Sequence, residues 1–184
     1  MSKFFEKKTG FSGLYKIEKL PVDDPRGSFE RLYCPLELSS WNSRPIAQIN
    51  RSLSPKKGTI RGLHFQNLPF CDAKLIFCLR GKVFDVALDL RYGSNTFGKY
   101  FSMELDASEN NAVLIPEGFA HGFQTMTANV EILYIHSAPY KANHESGINV
   151  FDSNLEINWP ENCNEISNRD LNFDELSKCK GIHI

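Results

Sequence analysis

The chain has 184 residues with 21 basic against 22 acidic side chains, a formal net charge of −1. That length suits one domain over 1–184 with a buried core. The balanced charge excludes a general binder of nucleic acid or membrane surfaces, since a bound polyanion would need a local basic cluster.

In chain order, the start from Met1 to Lys8 is too polar for a signal peptide, and no apolar run is long enough to cross a bilayer. A soluble, cytoplasmic protein with no membrane or nucleic-acid partner is expected. Short stretches rich in β-branched and aromatic residues then recur between turn signals. Strands are predicted over 13–19, 28–34, 45–53, 59–65, 74–80, 82–90, 100–105, 111–115, 122–126 and 130–137. Turns are marked by Asp24-Pro25-Arg26-Gly27, Pro55-Lys56-Lys57-Gly58, Arg80-Gly81, Tyr92-Gly93-Ser94-Asn95 and Pro116-Glu117-Gly118. Helical periodicity is rare: a short turn near 35–41, and a tail over 169–178 whose first turn Ser167 can cap. Many short strands with regular turns predict an all-β antiparallel sandwich or barrel.

Strand alternation sorts side chains onto faces. Gln48, Asn50, Ser52 and Ser54 share one face, as do Val130, Ile132, Tyr134 and His136. Asp85, Asp89 and Arg91 fall opposite Phe84, Val86, Leu88 and Leu90. A polar strand face points either to solvent or into a polar cavity, and periodicity leaves both readings open.

The residues with chemical potential are His64, Lys74, His121, Tyr134 and Asp170. His64 lies in Arg61-Gly62-Leu63-His64-Phe65-Gln66, with Lys74 shortly after it. A base near a fixed cation suits chemistry beside a carbonyl: the base removes a proton and the cation steadies the oxyanion. Taken singly, each histidine reads more readily as a hydrogen-bonded core residue than as a catalytic one. The His-x-His spacing of a mononuclear metal centre is absent around His64, so no metal is expected. The five cysteines, Cys34, Cys71, Cys78, Cys163 and Cys179, are scattered and form no Cys-x-x-Cys pair, which predicts reduced thiols. No Gly-rich phosphate loop occurs, so phosphates would fall to arginines such as Arg26, Arg51 and Arg61.

Taken together, several segments resemble the dTDP-4-dehydrorhamnose 3,5-epimerase family. They are Asp24-Pro25-Arg26-Gly27-Ser28-Phe29, the run from Gln48 to Ser54, and Gly58 to Gln66. Ala73-Lys74-Leu75, Gly81 to Arg91, Ile115 to Phe123, Tyr134, Tyr140, Trp159-Pro160 and Ser167 to Asp170 complete the pattern. The resemblance implies a cupin-like jelly roll, a homodimer, no cofactor, and a nucleotide-linked 4-keto-6-deoxy sugar as substrate. It implies that His64 is the base beside the C4 ketone, with Asp170 orienting its imidazole. Lys74 would stabilise the enolate oxygen, helped by His121, and Tyr134 would return a proton from the opposite face. Arg26, Phe29, Gln48, Asn50, Arg61 and Tyr140 match substrate-holding positions.

This chain departs from the family pattern in two places. Arg31 stands where members often carry a glutamate, with Glu30 one residue earlier, and Ile135 stands where a lysine commonly follows the tyrosine. The first departure keeps CDP- and GDP-linked sugars open beside a dTDP-sugar. A monoepimerase or ketoisomerase on the same scaffold also stays open, as does a non-catalytic cupin that binds sugar nucleotides.

Overall fold

A computed structural model describes residues 3–184. Met1 and Ser2, and with them the first residues of the expected 1–184 domain and of the polar start, lie outside the described residues. The first half of the chain forms β1 (Phe4–Lys8), β2 (Tyr15–Lys19), β3 (Val22–Asp24), β4 (Gly27–Phe29), β5 (Gln48–Ser54), β6 (Ile60–Gln66), β7 (Lys74–Arg80) and β8 (Lys82–Asp89). The second half adds β9 (Tyr100–Asp106), β10 (Asn111–Ile115), β11 (Phe119–Thr125), β12 (Val130–His136), β13 (Glu145–Gly147) and the short helix α1 (Asn168–Leu171). Two large antiparallel sheets result, a six-stranded one in the order β1-β2-β10-β7-β12-β5 and a five-stranded one in the order β13-β6-β11-β8-β9, while β3 and β4 pair apart from both as a two-stranded hairpin. This is the all-β antiparallel sandwich that the short strands and turns predict, in the jelly-roll form that the family resemblance implies.

The corner between the sheets is made locally. β7 and β8 are separated by Gly81 alone yet belong to different sheets. Gly81 sits at φ +77°, and a Cβ there would come within 2.4 Å of the Thr127 hydroxyl. Only glycine turns the chain from one layer to the other at this point.

Three apolar clusters hold the layers. Ile76, Val83, Ala87, Phe119, Phe123, Val130 and Ile132 fill the space between the sheets. Val86, Leu88, Ile148, Val150 and Leu155 join the back of the five-stranded sheet to the C-terminal segment. Leu75, Phe77, Leu114 and Ile135 pack the back of the six-stranded sheet against Leu38 and Trp41. β7 is therefore covered on both faces, and Lys74, Leu75, Ile76, Phe77 and Cys78 are all buried. Ile135 lies in this last cluster, on the strand face opposite Tyr134, which accounts for an apolar residue there in place of a lysine.

Four expectations change. The strand expected over 28–34 stops at Phe29, and Glu30 to Cys34 run irregularly while Tyr33 packs edge-on against Trp41. β11 begins three residues before the predicted 122, which places His121 within a strand. The expected 169–178 helix breaks after Leu171 and resumes as one 3-10 turn over Leu176–Lys178. β1, β3 and β13 were not foreseen; β1 and β13 are edge strands, β1 pairing with the next strand β2 and β13 with the distant β6.

Candidate active site

The two sheets separate at one end and enclose a cavity of about 540 Å³. The polar strand faces line it. Gln48, Asn50 and Ser52 come from β5, Tyr134 and His136 from β12, and Lys74 from β7; Arg61 and His64 come from β6 and His121 from β11 on the facing sheet. The alternation left open by the sequence thus resolves toward a cavity. Along β12, Val130 and Ile132 serve the core while Tyr134 and His136 serve the cavity.

His64 is positioned by three features. It lies directly opposite His121 across the β6–β11 pair, so both imidazoles share a face. Its Nε2 lies 2.9 Å from Asp170 Oδ1. Its ring meets Phe173 edge-on, with centroids 5.7 Å apart. Gly62 makes the Asp170 contact possible. At φ +124° a Cβ would lie 2.5 Å from Gly122 Cα, so only glycine lets β6 and β11 approach this closely. The Gly62 N–H then donates to Asp170 Oδ2 at 3.0 Å. Asp170 itself sits in α1, where its own N–H donates to the capping Ser167 hydroxyl at 3.1 Å. Arg169 stands beside the pair, with Nη2 3.1 Å from His64 Nε2 and Nε 3.2 Å from Asp170 Oδ1. A single ring nitrogen cannot both donate to the carboxylate and accept from the guanidinium. The buried anion takes the proton of Nε2–H, which leaves the lone pair on Nδ1.

Electrostatics support an ionised Asp170. Burial acts to raise its pKa, but the hydrogen bond and charge of His64 and the donors from Gly62 and Ser167 hold it well below the carboxylate range. Tyr134 behaves oppositely. Burial pushes its hydroxyl well above the usual tyrosine value, outweighing its 3.1 Å hydrogen bond with the Ser52 hydroxyl. It stays protonated over the whole neutral range.

Lys74 is buried, at 8% exposed, and its ammonium donates to the His64 carbonyl at 3.2 Å. Asp72 is its counter-charge at 3.8 Å. Arg61 Nε donates to the Ser54 hydroxyl at 3.1 Å, and Gln48 Oε1 accepts from the Tyr140 N–H at 2.8 Å. The Tyr140 hydroxyl donates at 2.9 Å to Glu145, which also pairs with Arg169.

Two expected substrate residues are not brought to this cavity. Arg26 and Phe29 lie on the β3–β4 hairpin outside its lining, Arg26 pairing with Asp24 and Phe29 72% exposed. Glu30 and Arg31, the other departure from the family pattern, are likewise outside the lining. They pair with Lys19 and Glu37. The sequence reading missed the partners. Asp85 bonds His121 Nε2 at 2.7 Å, and Asp72 bonds His136 Nδ1 at 2.7 Å. The signal was present for two of them: Asp85 falls on the polar face of its strand, and His136 shares the Tyr134 face. Among the described residues, no group of three or more His, Cys, Asp or Glu is placed to hold a metal ion. No helix among them is long and apolar enough to cross a membrane.

Comparison with known proteins identifies the family and the fold. Residues 8–178 match the family model described as dTDP-4-dehydrorhamnose 3,5-epimerase. A dTDP-4-dehydrorhamnose 3,5-epimerase of Sinorhizobium fredii is 43% identical over 143 residues, which are 75% of this chain and 71% of that protein. A dTDP-4-dehydrorhamnose 3-epimerase of Streptomyces niveus is 37% identical over 163 residues, 88% of this chain and 78% of that one. The crystal structure of a 4-keto-6-deoxy sugar epimerase from the novobiocin biosynthetic gene cluster of Streptomyces spheroides has a TM-score of 0.91 to this fold. It is 32% identical, covering 99% of this chain and 94% of that chain.

Proposed function

This chain belongs to the dTDP-4-dehydrorhamnose 3,5-epimerase family of isomerases, and we propose that it inverts C3 and C5 of dTDP-4-dehydro-6-deoxy-D-glucose to give dTDP-4-dehydro-L-rhamnose. The observation that carries this reading is the cavity itself, where a histidine–carboxylate dyad, a buried lysine and a protonated tyrosine meet around one space.

A sugar C–H becomes acidic only beside a ketone. His64, with its lone pair on Nδ1, removes that proton, and Asp170 stabilises the imidazolium that forms. Charge moves onto the C4 oxygen, where the Lys74 ammonium meets it in a site shielded from water. His121, held by Asp85, adds a second polar group on the same wall as His64. Tyr134 projects from the opposite sheet and delivers its phenolic proton to the other face of the carbon, which inverts it. Arg61, Gln48, Asn50 and Tyr140 hold the nucleotide diphosphate, and the chemistry draws on no cofactor. One epimerase domain over 1–184 carries these roles.

We further propose a cytoplasmic homodimer. β5 is an edge strand whose Ile49 and Leu53 are exposed, and the β3–β4 hairpin presents Phe29 and Arg26 away from their own cavity. A second copy covering β5 would gain burial for these side chains and place Arg26 and Phe29 near the partner cavity.

The test is incubation with dTDP-4-dehydro-6-deoxy-D-glucose in D2O, followed by NMR. Deuterium at both C3 and C5, with the L-rhamno product, is expected. Deuterium at C3 alone would select the 3-epimerase reading that the Streptomyces niveus relative supports, and none at either carbon would overturn epimerisation. CDP- and GDP-linked counterparts, run in parallel, are expected to react at least about tenfold more slowly.

A further inference from the structure

The cavity holds a histidine that takes no part in the proton transfers at C3 and C5. His136 follows Tyr134 on the cavity face of β12, and the two rings stack with centroids 6.0 Å apart. Its Nδ1 lies 2.7 Å from Asp72 Oδ2. Asp72 is 5% exposed and lines the same cavity. Asp72 serves two side chains at once, as counter-charge to the Lys74 ammonium and as acceptor for this imidazole, so the ring is tied to the same buried ion pair as the lysine. Burial alone would raise the Asp72 pKa, but Lys74, His136 and Gln66 hold it low, so it is an anion at neutral pH.

This anion fixes the imidazole tautomer. Nδ1–H donates to Asp72, which leaves the lone pair on Nε2. The protein neighbour of Nε2 is the Asn50 amide nitrogen, 3.4 Å away. That contact is long, and a stronger donor entering the cavity displaces it.

His136 is also placed relative to the reacting centre. It pairs directly with Lys74 across β12 and β7, and both side chains address the one Asp72 carboxylate. Lys74 is the group assigned to the C4 oxygen under the proposed function, and this step rests on that reading. The carbons flanking C4 in a 4-keto-6-deoxy sugar are C3, which bears a hydroxyl, and C5, which bears a methyl. Only C3 offers an O–H to a lone pair.

We propose that His136, oriented by Asp72, is a substrate-contacting specificity residue whose Nε2 accepts a hydrogen bond from the sugar 3-hydroxyl. The enzyme then selects for 4-keto-6-deoxy sugars that carry that hydroxyl, because a site built to bond a hydroxyl rejects the analogue without it. The contact also fixes C3 against His64 Nδ1 while Lys74 fixes the neighbouring oxygen.

Three inert probes test this by titration calorimetry: dTDP, dTDP-6-deoxy-D-glucose, and the 3-deoxy form of that sugar nucleotide. The wild-type protein is expected to bind the 3-hydroxy sugar about tenfold more tightly than the 3-deoxy sugar. His136→Leu removes that preference and leaves dTDP affinity within about twofold. His136→Gln, whose amide oxygen accepts in place of Nε2, restores part of it, a recovery that a purely structural histidine would not show. Unchanged discrimination in His136→Leu overturns the proposal, as does an equal loss for dTDP and both sugars, which would place His136 on the diphosphate. A wild-type protein that binds none of the three probes overturns the nucleotide-sugar reading itself. That outcome is distinct from a loss confined to His136.

Discussion

Replacing Asp170 with asparagine isolates the electrostatic part of the dyad. The side chain keeps its shape, and its amide oxygen still accepts the Gly62 N–H that now lies 3.0 Å from the carboxylate. What is lost is the anion behind His64 Nε2. At an effective dielectric of about 20, two unit charges 2.9 Å apart attract by about 6 kcal/mol. That is a ceiling, because the His64 side chain is 27% exposed and solvent screens part of the interaction. A charge-assisted hydrogen bond contributes about 1.5–3 kcal/mol. At about 1.4 kcal/mol per decade, this alone slows proton abstraction roughly 10- to 150-fold. The amide also presents an N–H to Nε2, which moves the lone pair to the wrong nitrogen and adds to the loss. The expected fall in kcat is therefore about 100- to 1,000-fold. Asp170 is absent from the lining of the cavity, so affinity for dTDP stays within about twofold. The assay is the initial rate of deuterium entry at C3, with dTDP affinity measured by calorimetry on the same preparation. A folded Asp170→Asn protein whose exchange rate stays within about threefold of wild type would refute the dyad.

Tyr134→Phe removes the opposite-face acid but leaves His64 and Lys74 in place, so deuterium still enters from the His64 face while the inverted product falls at least about 100-fold; NMR of the product stereochemistry checks this. Gly147→Ala would set a Cβ 2.3 Å from the Phe173 ring, which itself packs edge-on against His64. The overpacking should cost about 1–3 kcal/mol in stability, and displacing Phe173 should slow exchange; a melting curve unchanged from wild type would show that the ring yields freely. Asp170 and Asp72 both have folded pKa values held below the unfolded carboxylate value. Their stabilisation is fully present above about pH 4 and is lost as pH falls further. Melting temperature should drop below that point, and less steeply in Asp170→Asn. Tyr134 gives the mirror case: its raised folded pKa means that stability falls as pH rises past about 10, where the unfolded chain ionises first. Tyr134→Phe should flatten that alkaline limb in pH-dependent melting.

Legibility differed between backbone and site for physical reasons. β7 and β10 have the predicted bounds because each is a continuous apolar run ended by a turn signal or charge. The expected 28–34 strand failed because local propensity counts aromatics but not partners. Residues 30–34 have no strand beside them, and Tyr33 finds its burial against Trp41 instead. The tail helix failed similarly: Phe173 breaks out of it to pack on Gly147 and His64, a contact 26 residues apart in one case and 109 in the other (173 − 147 and 173 − 64). His64, Lys74, Tyr134 and Asp170 were each visible as residues, and their spacing as a family pattern. The pairing of Asp72 with His136 and of Asp85 with His121 was not, because nothing in a one-dimensional pattern assigns a carboxylate, even one on a polar strand face, to a particular imidazole.

The amino-acid sequence by itself determined the strand periodicity, the glycines that turn and cross the chain, and the residue types available for chemistry beside a carbonyl. Those are local properties, set by sterics and by alternation along each strand. Tertiary structure alone decided that the polar faces of β5, β8 and β12 look into a cavity and an interior rather than into water. It also decided which carboxylate serves which histidine: Asp170 for His64, Asp85 for His121 and Asp72 for His136. Those pairings span 106, 36 and 64 residues. They exist because closing the sandwich removes these carboxylates from water and sets an imidazole within hydrogen-bond reach of each.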